Sequence, residues 1–171
     1  MPIFKRRQPI SAPRVATTNA LDIVEPSMPD NEWFTRSEEV YEQTWRDHAG
    51  SPETFAEAGS IHYGHQNFGV ALLFFRKAID LMHTLYTDGM SRRQPSPRDF
   101  SITSQFVSSL GATLAMHPAA PVDKSVREVT HRLRTISSAC KRAGIPAELY
   151  LNALQEIANA SPNVKLDGVL W

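Results

Sequence analysis

The sequence predicts an all-α domain of about six helices, and three features carry that prediction. Apolar residues recur at three- and four-residue spacing through most of the stretch from Asn31 to Ile157. No segment sustains the apolar/polar alternation of a half-buried strand, so no sheet is expected. Glycine and proline fall between the periodic stretches, where helices stop and start.

Residues 1–29 hold five prolines and little apolar periodicity, and read as a flexible, disordered arm. The short patch Leu21-Asp22-Ile23-Val24 is an exception that can dock on the body as an extended segment. The first helix is expected over Asn31–Ala49, capped by Asp30 or Ser37 and stopped by Gly50. Trp33, Phe34, Val40, Tyr41 and Trp45 give it an aromatic stripe. The second starts at Ser51-Pro52-Glu53, with a capping hydroxyl, a proline in the first turn and an acid near the positive helix end. It should reach Tyr63.

A third helix is expected from Asn67, its cap, to Asp88, with Gly89 as stop. It is apolar on most sides, which predicts a central rod with neighbours on several faces. Residues 90–98 read as a wet loop, because Pro95 and Pro97 oppose helix and three arginines favour water. Asp99 then caps a fourth helix to Met116, and the run from His117 to Pro121 breaks it. Asp123 caps a fifth that ends at Gly144, with Val126, Val129, Leu133, Ile136, Cys140 and Ala143 in one narrow seam. Pro146 opens a sixth through Leu149, Ala153, Leu154 and Ile157. The predicted organisation is therefore an arm at 1–29, a helical body at 30–162, and a tail at 163–171 whose Val169-Leu170-Trp171 packs back on the body.

The length of 171 residues suits one domain with a real core. One cysteine excludes an internal disulfide and favours a reducing compartment. Lys5, Arg6 and Arg7 are followed by no apolar run, and Pro9 and Pro13 oppose the amphipathic helix of an organelle-targeting peptide. No stretch approaches a bilayer-spanning length. A cytoplasmic protein without a membrane is the resulting expectation.

The segment from Phe55 to Leu81 resembles a tetratricopeptide repeat. Phe55 stands at that family's first large aromatic, Ala58-Gly59 at its Leu-Gly pair, Phe68 at the aromatic opening its second helix. Ala71, Phe75 and Ala78 match the small-aromatic-small core of that helix, and Tyr63 falls one residue beyond the family's aromatic. The resemblance implies antiparallel hairpins that meet closely at Gly59 and Ala78, and a protein-binding groove lined by Glu53, Ala56, Ser60 and Tyr63. It covers about one sixth of the chain. The third helix runs past the family length without the usual proline, and Phe106 with Leu110-Gly111 gives only a faint second repeat. The residues that clamp a peptide carboxylate in some members are absent, so that kind of ligand is not expected.

Net charge is zero but segregated. Between Asn31 and Ala58 stand seven acids and two bases; between Arg76 and Arg142, eleven bases and five acids. The fifth helix carries Lys124, Arg127, His131, Arg134 and Lys141 opposite its apolar seam, with Arg132 and Arg142 beside them. Such a stripe is either a solvated face or a site for an acidic partner or nucleic-acid phosphates. It lacks interleaved aromatics, which weakens the single-strand reading.

His62, His65, Asp80 and His83 invite a metal, but His65 falls in a turn and no second acid joins, so no metal is expected. Cys140 lies on the apolar seam, as a core residue does. No phosphate loop, nucleophile elbow or dinucleotide fingerprint occurs. The sequence thus points to a non-catalytic protein-protein interaction module, adaptor or chaperone-like, with no cofactor. The alternatives are a structural subunit of a larger assembly and a nucleic-acid-associated factor using the basic stripe.

Overall fold

A computed structural model describes residues 23–48, 50–88 and 94–162. The arm up to residue 22, Gly89, residues 90–93 and the tail ending in Val169-Leu170-Trp171 lie outside these described residues. Six helices follow in order: α1 (Asp30–Thr44), α2 (Pro52–Gly64), α3 (Phe68–Thr87), α4 (Pro97–Met116), α5 (Asp123–Arg142) and α6 (Glu148–Ala160). No strand occurs among the described residues.

α3 is the axis of the molecule. Val70, Ala71, Leu72, Phe74, Phe75, Ala78, Ile79 and Met82 are completely buried in it. A helix apolar on this many sides is stable only when neighbours cover most of its circumference. α2 folds back on α3 as a hairpin, α1, α4 and α5 pack on α3 as well, and α6 lies across α4 and α5. The second half therefore does not repeat the α2/α3 pairing: α4 and α5 each rest on α3, and α6 bridges them. One apolar core runs through all six helices.

Two glycines set the close approaches to α3. At the α2/α3 contact, a Cβ on Gly59 would lie 2.8 Å from the Phe75 ring. Gly59 thus makes room for an aromatic ring of the facing helix. At the α1/α3 contact, a Cβ on Gly69 would lie 2.5 Å from Ser37 Oγ and 2.9 Å from the Trp33 indole. This second crossing brings Trp33 and the small Ser37 directly onto the start of α3.

Several helix ends differ from expectation because a carboxylate or amide found a tertiary partner. α1 has no side-chain cap. Asp30 instead accepts from Ala119 N (2.7 Å) and from His117 Nδ1 (2.8 Å), tying the start of α1 to the α4–α5 connection. The His117 ring stacks on Trp33, centroids 4.1 Å apart. α1 stops at Thr44 rather than Ala49 and tightens into a 3₁₀ turn at Trp45–Asp47. α4 begins three residues earlier than predicted, at Pro97, with Ser96 in the cap position and its Oγ accepting from Asp99 N. Ser96-Pro97 repeats the Ser51-Pro52 start of α2, whose hydroxyl accepts from Thr54 N. Asp99 is accordingly not a cap: it is buried and accepts from Tyr86 Oη at 2.7 Å, beside Tyr150. Asp123 is the first residue of α5, following Val122 in the cap position. α5 closes with Gly144 at φ +71° and Ile145 N donating to Cys140 O, a left-handed stop that glycine adopts without strain. α6 begins at Glu148 rather than Pro146.

Asn67 precedes α3 without capping it by its side chain. Its Oδ1 accepts from Val24 N (3.2 Å), so its Nδ2 faces His62 Nδ1 at 3.0 Å. Val24 is buried and Ile23 exposed, so the predicted docking patch engages through Val24. The His62 ring stacks on Phe74. Burial, then the neighbouring His48 and His65, push the His62 pKa down to about 4.

Two predictions follow from this packing. Gly69→Ala should lose about 1–3 kcal/mol in urea unfolding, since Ser37 and Trp33 must shift. Gly64→Ala, with open space around it, should leave the midpoint unchanged or slightly raised. Between about pH 6.5 and 4 the unfolded chain binds a proton at His62 that the folded chain does not. Stability should therefore fall as pH falls through that window, and His62→Gln should flatten the dependence by up to one proton, read from unfolding midpoints against pH.

Candidate functional site

α5 presents three chemically distinct faces. Val126, Val129, Leu133, Ile136 and Cys140 of the predicted seam enter the core, while Ala143, at the cap position past the helix end, is exposed. Burial first, and the charge of Asp99 second, raise the Cys140 thiol above its ordinary pKa, so it stays protonated at neutral pH.

The face toward α3 is an ion cluster. Arg132 Nε meets Asp80 Oδ1 at 3.0 Å, Arg76 Nη1 donates to Ser125 Oγ at 3.0 Å, and Arg76 Nε lies 3.8 Å from Glu128. Lys77 reaches Asp80 at 3.8 Å and stands over the Trp45 ring. Arg76, Lys77, Asp80, Glu128 and Arg132, with Tyr41, line a cavity of about 340 Å³ between α1, α3 and α5. Arg132 is thus committed to α3 and does not flank the basic stripe. His83, beside Arg132, has its pKa lowered by burial and then by that guanidinium.

The third face turns toward α6. His131, Arg134 and Lys141 of the predicted stripe line a groove of about 890 Å³ with Leu151, Asn152, Leu154 and Gln155 of α6. Ser137 and Ser138 supply its floor and edge; Ser137 Oγ is buried without a hydrogen-bond partner. Leu151 is 40% exposed; Leu149, two residues away and on the other side of α6, does not line the groove. No acidic or aromatic side chain is among the described residues lining the groove. The structure separates the stripe as follows. His131, Arg134 and Lys141 share the groove, and Arg127 is exposed at helical spacing from His131 and Arg134. Lys124 pairs with Glu128 at 4.0 Å, toward the ion cluster.

The residues implied by the repeat resemblance separate too. Ser60 and Tyr63 line a slot of about 170 Å³ floored by Phe75 and closed by Gln105 and Ser108 of α4. Gln105 Nε2 donates to Ser60 Oγ at 3.2 Å, and Tyr63 meets Phe68 edge-on. Ala56 is buried in the core and presents no surface to a ligand; Glu53, half-buried, is not among the slot's residues. α4 occupies the side on which a repeat groove would open.

Sequence reasoning missed the α6 wall. Leu149, Ala153, Leu154 and Ile157 were read as the apolar side of the sixth helix; Leu151 was not among them, and only the packing of α6 on α5 puts it in the same groove as Arg134 and Lys141. The proposed histidine ligands also part company. His62 is stacked on Phe74 and bonded to Asn67, while Asp80 serves Arg132. Among the described residues no three His, Cys, Asp or Glu side chains converge as a metal site, and no helix is long and apolar enough to cross a membrane.

The division of α5 into faces has a measurable consequence. Arg132→Ala should cost about 1 kcal/mol, because it strips Asp80 of its 3.0 Å partner within a network. Arg127→Ala and Lys141→Ala, on the exposed side, should stay within about 0.5 kcal/mol of the parent in thermal or urea unfolding.

The chain matches no protein-family model, no curated protein and no solved structure.

Proposed function

We propose that the chain is a non-catalytic protein-binding module that docks its partner in the α5/α6 groove, on a tetratricopeptide-like α2/α3 scaffold. One observation supports this reading: His131, Arg134 and Lys141 of α5 meet the exposed Leu151 of α6 in one open groove that also holds the buried Ser137 hydroxyl, which has no hydrogen-bond partner. Arginine is enriched at interfaces, and here it stands beside an exposed apolar side chain in a concave groove. One wall of the groove, α5, packs on α3, and the other, α6, packs on α4 and α5. The Ser60–Tyr63 slot is the smaller of the two and has room for little more than one side chain.

The absence of catalysis is part of the proposal. The groove contains no paired nucleophile and base, and the one thiol is buried and protonated.

Site-specific photo-crosslinking tests it. A photoreactive residue at Asn152 should yield a protein adduct of discrete mass in extract of the source cells. The same residue at Gly64 should not, and the adduct should disappear in the Arg134→Glu, Lys141→Glu double variant. Equal adducts from both positions, or an Asn152 adduct indifferent to the charge reversal, would contradict the reading.

A further inference from the structure

We infer that the chain's own segment from Asn163 to Trp171, which lies outside the described residues, docks in the α5/α6 groove, so that a partner has to displace it. Occupancy follows from the groove and from the chain beyond α6. Displacement rests on the groove being the partner's docking surface.

Arg134 on the α5 wall is already engaged. No acid is among the described residues lining the groove, and Glu128 is drawn to the other side of α5 by Arg76 and Lys124. An acid from outside would have to take Arg134 from what holds it, whereas a segment of this chain can be what holds it. The α6 wall adds one exposed leucine, Leu151, while Leu154 is buried. So small a set of contacts favours a tethered occupant. A short linker keeps its segment at an effective concentration in the millimolar range, where weak contacts suffice. A free partner needs contacts beyond these to compete.

The lengths match. α6 ends at Ala160, followed by Ser161 and Pro162. Gln155 and Leu151 stand about 8 and 14 Å back from Ala160 along the helix axis. The residues from Asn163 to Trp171 reach up to about 30 Å when extended, enough to double back over the whole groove. The composition suits both walls. Val164, Leu166, Val169, Leu170 and Trp171 offer hydrocarbon to Leu151, and Asp167, the segment's one acid, offers a carboxylate to His131, Arg134 and Lys141. Asp167 follows Pro162 at a reach of about 16 Å, which spans the distance to the α5 wall. Lys165, the one base, comes earlier, nearer the end of α6 and its exposed Glu156. Ser137 Oγ, buried in the groove without a hydrogen-bond partner, supplies a donor and an acceptor for the segment's backbone.

The purified full chain with a photoreactive residue at Asn152 tests occupancy. Irradiation should join position 152 to a peptide from residues 163–171 of the same chain, read by digestion and mass spectrometry. The same photoreactive residue at Gly64 should not reach that peptide. Asp167→Lys and Leu151→Asp should each lower the yield of the internal link at least about threefold, with the far-UV spectrum unchanged. Displacement is tested in extract of the source cells. A chain ending at Pro162 should give at least about threefold more of the Asn152 adduct than the full chain, because no tethered competitor remains.

Failure of Asn152 to link to residues 163–171, or a link indifferent to both substitutions, would overturn the inference. So would a link that joins two chains and grows with protein concentration, because the occupant would then be a second copy. An internal link with no extract adduct from either the full or the shortened chain upholds the occupancy and contradicts the docking surface. An extract adduct without an internal link does the reverse. An internal link with equal extract adducts from both chains overturns the displacement.

Discussion

Everything in this molecule depends on keeping α3 dry. Its side chains between Val70 and Met82 point apolar surface in nearly every direction, and one helix cannot shelter another on more than one side. The chain solves this by surrounding α3 with α1, α2, α4 and α5. Phe75 seated over Gly59, and Ser37 with Trp33 seated over Gly69, bring two of those neighbours close enough to exclude water. At about 25 cal/mol per Å² of buried apolar surface, a rod of this kind supplies the largest single share of the driving force. The outer helices are left to carry chemistry on the faces they do not spend on α3.

α5 illustrates the division. Its core face is apolar, its α3-side edge joins Arg76, Asp80, Glu128 and Arg132 into an ion cluster, and its α6-side edge collects the remaining cations around a groove. Charges of both signs neutralise each other where α3 and α5 meet. The same economy governs the buried polar groups. Asp30, Asn67 and Asp99 each fasten one element to a distant one: α1 to the α4–α5 connection, the segment at Val24 to the α2–α3 turn, and α3 to α4.

The helix count and the central place of α3 were legible because both are properties of local apolar spacing. Ser51-Pro52 and Gly144 were legible for the same reason, since a cap or stop acts within one turn, whereas Gly50 did not mark the end of α1, which stops at Thr44. Asp99, Asp30 and Asn67 were not. Each has a side chain that serves equally as a cap or as a tertiary acceptor, and the choice depends on residues 13 to 89 positions away. Arg132 was read as a neighbour of the stripe because helical spacing cannot distinguish an edge turned toward α3 from one turned toward α6. The basic wall of the groove was visible as a periodic pattern of cations. Its leucine wall belonged to a different helix, and nothing in the spacing of α6 announces that it crosses α5 there. Gly59 was read as a close approach to Ala78, whereas it makes room for the Phe75 ring, and the crossing at Gly69 had no counterpart in that reading.

Native-state hydrogen exchange tests most directly whether α3 is what the fold is built on. The amides from Val70 to Met82 should be the slowest in the chain, opening only with global unfolding, while α6 opens at lower free energy. If α3 exchanged as fast as the helices around it, or if α5 and α6 retained protection after α3 had lost it, the central rod would not be holding the others together.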